Sequence, residues 1–407
     1  MKPDSDDIVW QANSAARAAR ANKALTDAFS SKHVTAIREF HRAIPGYQPT
    51  PLAALSKLAE FLGVGAVWVK DESYRFGLNA FKVLGASFAL IRTLEKKLQC
   101  ERIPLGDKNR QSASLRNQLE NITCVTATDG NHGRAVAWGA EQIGCRSVVF
   151  MPAGSSPVRL ENIRRHGAEA SIIDGNYDDA VRMAADLAEQ NDWLLIQDTA
   201  RPGYTQIPEQ IMQGYLTLFD EAFEQVGEHE PTHVFIQCGV GSLPASLLAF
   251  LVERYGGRRP TLISVEPTRA ASFYRSVVAA DGNAHAVTGR LDTIMAGLAC
   301  GEPSSLAWEI LRDHGDIFVA CPDRVSVRGM RVLGNPLPDD RPMVSGESGA
   351  VTLGLVYEIA TDPANRHLRE HLRLDRSSRI LLFSTEGDTD PQMYRKIVWG
   401  DWRPRAP

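Results

Sequence analysis

The sequence predicts an α/β protein built on parallel sheets, and three observations carry that expectation. Short, strand-sized apolar runs alternate with longer amphipathic stretches through most of the chain. The short runs are continuously apolar and rich in Val and Ile, as strands covered on both faces are. Their alternation with helical stretches implies right-handed crossovers between parallel strands.

Taken in chain order, strands are expected at 66–71 (AVWVKD), 123–127 (TCVTA), 147–151 (SVVFM), 170–174, 193–197 (WLLIQ), 233–238 (HVFIQC), 261–266 (TLISVE), 317–320 and 379–384 (RILLFS). A helix is expected over 79–95. There Phe81, Leu84, Phe88, Ile91 and Leu94 recur every three or four positions, and Asn79 stands where an N-cap belongs. Residues 101–121 read as a solvated polar insertion, and 281–304 as a long loop without a period. Loops of that length inside compact domains are usually functional or mobile. Neither an internal repeat nor a low-complexity tract interrupts the pattern.

At 407 residues the chain exceeds one small core, and about 150 residues per domain gives two or three domains. With 43% hydrophobic and 23% charged residues the composition is that of a globular protein, not a disordered one. A net charge of −4 offers no global attraction for nucleic acid or an anionic membrane. The apolar runs are too short for a transmembrane helix. The opening Met1-Lys2-Pro3-Asp4-Ser5-Asp6-Asp7 is acidic, unlike a signal peptide. Six scattered cysteines form no C-x-x-C pair and no zinc spacing, so reduced thiols and no metal site are expected. A soluble cytoplasmic chain follows as the expectation.

Four clusters carry chemistry, each with a plain structural alternative. The first runs from Lys70 to Lys82, out of a strand, through a turn at Gly77 and into an apolar helix. Desolvation and the positive helix end would both lower the pKa of Lys82, giving the neutral amine that a Schiff base requires. Otherwise Lys82 is a snorkelling surface lysine. The second cluster, Thr128-Asp129-Gly130-Asn131-His132-Gly133-Arg134, follows strand 123–127, where α/β sheets bind ligands. It also reads as a glycine turn with Asp129 or Asn131 capping a helix. In the third, Gly239 and Gly241 free the amides of Gly239-Val240-Gly241-Ser242-Leu243 at a helix start, an anion nest or an ordinary turn. The fourth, Ser384-Thr385-Glu386-Gly387-Asp388, ends the last strand. Its hydroxyls can bond a heteroaromatic nitrogen, or the segment is a turn with Asp388 or Asp390 capping the next helix.

Together and in this order, the clusters resemble the fold-type II enzymes that use pyridoxal 5′-phosphate, the tryptophan synthase β-like group. The parts that match are Asn79-Ala80-Phe81-Lys82, Gly130-Asn131-His132-Gly133, Gly239 to Leu243, and Ser384. Within the group, Asp129 before the Gly-Asn-His run is similar to the diaminopropionate ammonia-lyase branch. Threonine and serine dehydratases usually carry Ser or Ala there. Asp198 in Gln197-Asp198-Thr199 and the loop Met295-Ala296-Gly297-Leu298 fit the same branch.

The resemblance implies two open, twisted α/β domains with the cofactor in the cleft between them: a large pyridoxal-phosphate-binding domain of 1–82 and 191–407, and a small one of 83–190. It implies a homodimer and a small amino-acid substrate. Lys82 would be the Schiff-base lysine and the base for L-2,3-diaminopropionate, Asp129 the base for the D-isomer. Asp129 and Asp198 would hold the leaving ammonium, and the products would be pyruvate and two ammonia. Phe81 would pack near the cofactor, Asn131 bond its phenolic oxygen, Gly239–Leu243 hold its phosphate, and Ser384, ahead of Thr385, meet its pyridine nitrogen. Asn79, Thr128, Asp129, Gly130 and Asp198 would contact substrate, and His132 would pack structurally. The alternatives are a serine or threonine dehydratase of the same fold, and a silent pyridoxal-phosphate-binding protein. A third is a nicotinamide-dependent oxidoreductase built on Gly239-x-Gly241, with Glu266 as its ribose-binding acid.

Overall fold

The strands expected from apolar continuity form, within a residue or two at their ends, in a computed structural model that describes residues 7–16, 23–106, 111–400 and 402. The acidic opening at 1–6 and part of the 101–121 insertion (107–110) lie outside the described residues. In chain order the strands are β1 (Val9–Ala12), β2 (Leu52–Ala54), β3 (Ala66–Asp71), β4 (Thr123–Ala127), β5 (Arg146–Met151), β6 (Glu169–Ile172), β7 (Leu194–Leu195), β8 (His233–Gln237), β9 (Thr261–Pro267), β10 (Ile317–Cys321) and β11 (Arg379–Ser384).

They form two sheets. The larger has the order β1-β10-β9-β8-β11-β3-β2, and the smaller β6-β5-β4-β7. All pairings are parallel except at the larger sheet's edges, where β1 and β2 run antiparallel to their neighbours. Sequence periodicity did not reveal these two strands. They are four and three residues long, and the exposed sheet edge, not an apolar run, selects them. The pairing of β7 with β4 carries the smaller sheet past residue 190 to Leu195.

Two differences from the expected elements bear on the site. The helix expected over 79–95 spans Val83–Lys97 and is buried nearly all round, with Gly85, Ala86, Ser87, Ala89 and Leu90 inside as well as the predicted stripe. A helix apolar on every side belongs in the middle of a protein, and this one packs against the helices Asn131–Ile143 and Gln206–Gly214. The polar 101–121 segment contains a helix, Ala113–Glu120, that buries Leu119, with Ile103 and Leu105 also inside. It is packed onto the core, not fully solvated. The 281–304 segment is irregular as expected, apart from one short turn of helix at Ala296–Leu298. Among the described residues no helix is long and apolar enough to cross a membrane, and all six cysteines are unbridged.

Candidate active site

β8, β11 and β3 are consecutive, parallel neighbours in the larger sheet. The segments leaving their carboxyl ends therefore emerge side by side, where open α/β sheets bind ligands. The segment after β4 of the smaller sheet joins them around a partly open cavity.

Backbone pairing fixes the Lys82 segment to the end of β11. Ala80 bridges Glu386, the Phe81 amide donates to Thr385 O at 3.1 Å, and the Gly387 amide to Asn79 O at 3.0 Å. Asn79 enters this bridge with a left-handed φ of 59°, and its side-chain amide donates to Asp388 Oδ1 at 3.2 Å. It is therefore not the helix cap. The helix begins at Val83 with Lys82 in the N-cap position and no side-chain cap.

Lys82 Nζ points into the cavity and donates to Asp198. Tyr177 Oη and Gln197 Nε2 also donate to that carboxylate, at 3.2 and 3.3 Å. Gln197 is itself fixed, accepting from Thr126 Oγ1 and the Ala127 amide at 2.9 Å each. The sequence led us to expect a depressed lysine pKa, and the fold reverses the sign. Burial lowers it, but the charge and hydrogen bond of Asp198 outweigh burial and hold Lys82 above the ordinary lysine range. Burial pushes Asp198 up, yet the charge and hydrogen bond of Lys82, with the Tyr177 hydrogen bond, hold it below the carboxylate range. Asp198 is remote in sequence, so no local pattern around Lys82 announces it.

Asp129 lines the cavity with an Oδ2 that has no hydrogen bond. Burial raises its pKa, while Arg159 at 3.8 Å and Lys82 pull it back. His132 Nε2 donates to Ile196 O at 2.8 Å, and its unbonded Nδ1 faces Asp198 at 3.9 Å. Burial lowers its pKa, which keeps the ring neutral.

The glycine segment after β8 starts the helix Ser242–Tyr255. Gly241 has a φ of 94°, and a Cβ there would lie 2.2 Å from Phe273 Cζ, so this corner accepts glycine alone. The first amides of the helix have no intrahelical acceptor and form an anion site at the cavity wall. The Ser242 hydroxyl is already used, donating to Asp198 O at 2.6 Å.

These residues fit pyridoxal phosphate. The wall offers an amine, a helix-start cradle for a phosphate, and unbonded buried polar atoms on Asp129, His132 and Gln237. Phe81, Lys82, Thr128, Asp129, Asn131, Asp198, Thr385 and the whole Gly239–Leu243 run line it. Three other sequence-predicted site residues, Asn79, Gly130 and Ser384, do not line it. The Ser384 hydroxyl donates to Ser345 Oγ at 2.8 Å, leaving Thr385 as the hydroxyl on the wall. Gly130 donates its amide to Thr128 Oγ1 at 2.9 Å behind the loop, and neither Asp129 nor Asn131 caps the helix that follows. Asp390 does cap its helix, accepting from the Gln392 and Met393 amides.

Several wall residues carried no functional reading from sequence: Tyr177, Gln237, Cys300, Ser348 and Glu386. Glu386 sits inside the fourth cluster and accepts from Asn131 Nδ2 and from the Ser348 amide. The small-residue run Ser345-Gly346-Glu347-Ser348-Gly349 was the available signal for Ser348. Tyr177 and Gln237 look like an unremarkable helix start and strand end. Glu266 is overturned as a ribose ligand. It is fully buried, off the cavity, and accepts from the Phe273 and Tyr274 amides at 2.9 and 2.7 Å. Burial raises its pKa to about 8. The nicotinamide reading loses its acid.

Comparison with known proteins agrees with this geometry. Residues 43–370 match the family model described as "Pyridoxal-phosphate dependent enzyme". The chain is 49% identical over 364 residues to the diaminopropionate ammonia-lyase of Salmonella typhimurium (strain LT2), covering 88% of this chain and 90% of that one. It is 48% identical over 374 residues to the Escherichia coli (strain K12) enzyme of the same name, covering 91% and 92%. The crystal structure of the Escherichia coli enzyme in complex with an aminoacrylate–PLP azomethine reaction intermediate superposes with a TM-score of 0.86 at 45% identity, over 97% of each chain. By sequence and by fold, the chain belongs to the pyridoxal-phosphate dependent enzyme family, in its diaminopropionate ammonia-lyase branch.

Proposed function

We propose that the chain is a pyridoxal-phosphate-dependent carbon–nitrogen lyase that eliminates ammonia from 2,3-diaminopropionate of either hand. The observation that carries this reading is the pairing of the Lys82 amine with Asp198 beside a second wall carboxylate, Asp129. Lys82 would hold the cofactor, the Gly239–Leu243 amides its phosphate, Asn131 its phenolic oxygen, and Thr385, backed by Ser384, its ring nitrogen, with Phe81 packed alongside. When bound there, the cofactor supplies an electron sink that acidifies the substrate Cα proton.

Lys82, once its amine is free, takes that proton from the L-isomer, and Asp129 takes it from the D-isomer. Asp198, held ionised by the pairing, orients the Lys82 side chain toward the cavity. Asp129 and Asp198 hold the departing β-amine as ammonium through charge-assisted hydrogen bonds. A hydroxyl-eliminating enzyme has no use for carboxylates aimed at the leaving group. Thr128 is the remaining wall contact for the substrate carboxylate; Asn79 and Gly130 shape the segments behind it. The released enamine takes up one water and yields pyruvate and the second ammonia.

The same reading divides the chain into a large unit and a small one, the latter of 83–190 extended to include β7, and pairs two chains as a homodimer. Sedimentation at several concentrations tests the dimer. For the chemistry, borohydride reduction of the holoenzyme followed by peptide mapping should place the cofactor label on Lys82; label elsewhere, or none, removes the proposal. Pyruvate release from both isomers and from L-serine should favour diaminopropionate over serine.

A further inference from the structure

The helix Pro157–Arg164 lies outside every motif read from the sequence, yet it delivers a buried guanidinium behind Asp129. Arg159 is 7% exposed and does not line the cavity. Its Nη1 lies 3.8 Å from Asp129 Oδ2, and its Nη2 donates to Glu347 Oε2 at 3.4 Å. Its stem packs closely against Gly130. A Cβ on Gly130, whose φ is 150°, would stand 3.1 Å from Arg159 Cδ.

We propose that Arg159 is a positioning residue for Asp129: wedged between Asp129 and Glu347, its guanidinium keeps the Asp129 carboxylate ionised and available to take the Cα proton of the D-isomer. This inference rests on the assignment of Asp129 as the base for that isomer. The groups that bear on Asp129 are Arg159 from its own helix, Lys82 from the buried helix start and Glu386 from the segment after β11; Glu347 from the 345–350 turn and Asp390 bear with Glu386 on Arg159. Asp198, His132 and Tyr177 share the cavity wall with it. One guanidinium among several carboxylates cannot serve them all ionised. Burial, with Arg159 opposing and Glu386 adding, raises Glu347 to about 7. A proton on Glu347 removes one competing negative charge, and the cation then acts on Asp129 and Glu386.

The test uses the holoenzyme and pH profiles of kcat/KM on each isomer. Replacing Arg159→Gln removes the cation, so the acid limb for the D-isomer should move to higher pH. At neutral pH its rate should fall by about tenfold, against less than about threefold for the L-isomer. Arg159→Lys should restore most of the D-activity. Glu347→Gln removes a competing negative group and should move the same limb to lower pH. This second variant keeps the proposal open to test if the arginine variant fails to fold. Opposite movements of the limb support the role, which a purely structural arginine would not produce. A limb unmoved in both variants, or equal losses on the two isomers, overturns it. Asp129→Asn, run in parallel, separates the premises: if it spares the D-isomer, the assignment of Asp129 is what fails.

Discussion

Two clusters of buried charge are centred on lysines twelve residues apart, Lys70 and Lys82, and they are built on opposite rules. Under the segment that leads to Lys82, Lys70 and Arg75 meet Glu72 and Glu221, all at most 1% exposed. Lys70 Nζ donates to Glu221, to Thr50 O and to Gln225, at 2.7–2.8 Å. Every nitrogen of the Arg75 guanidinium finds an acceptor on Glu72, Glu221, Thr50 or the Gln48 carbonyl. In the cleft, by contrast, Asp129 Oδ2, His132 Nδ1 and Gln237 Oε1 have no hydrogen bond. A closed network fixes geometry, because removing any member strands a charge. An unfinished one marks where a ligand supplies the missing partners. Lys70 and Lys82 look alike in sequence, each a lysine beside apolar residues. What separates them is the surroundings: the Lys70 network closes on itself, and the wall around Lys82 keeps three polar atoms without a hydrogen bond.

The sharpest break of that comparison is Lys82→Ala. Turnover should fall by more than about 10³-fold, with loss of the cofactor's visible absorbance from the purified protein. Undiminished turnover would make the cleft a second framework. Next is Glu221→Gln, which strands Lys70 and leaves Arg75 with Glu72 alone. It should cost about 3–5 kcal/mol in urea unfolding and leave activity per folded molecule intact. A large loss of activity at unchanged stability would erase the distinction from the other side.

Acid unfolding probes the same network without mutation. Burial raises Glu221, but Arg75 and Lys70 overrule it and bring its pKa down to about 2 from 4.5. A depressed carboxylate contributes stability that is fully present above pH 4.5 and is lost as pH falls toward 2. The wild-type curve should therefore drop across that window, and Glu221→Gln should flatten it. The smallest effect belongs to Tyr177→Phe, which removes one donor from Asp198. A loss of about tenfold in kcat or less is expected, near the value of one hydrogen bond to a charged group. No change in kcat would mean Lys82 and Gln197 suffice to hold Asp198.

Legibility from sequence divides along the same line. The strands that carry the site, β3, β4, β8 and β11, were readable because two-sided burial leaves a continuous apolar run. The glycine segment at 239–243, Lys82 and Asp129 were readable because they follow such strands directly. Asn79 as a helix cap was misread: its position suits a cap, but the bridge between Ala80 and Glu386 claims the backbone first. The Ser384 hydroxyl turns to Ser345, and the next residue, Thr385, stands on the wall.

The sequence by itself determined which segments become strands, which loops follow their carboxyl ends, and therefore which side chains arrive at the cleft. These are local properties, set by side-chain period and by residues within a turn of each other. Only the tertiary structure decided the ionic state of what arrives: that Lys82 meets Asp198, that Arg159 stands behind Asp129, and that Glu266 is spent on two backbone amides. Charge interactions depend on separation in space and on burial, and both are created only when distant parts of the chain close around each other.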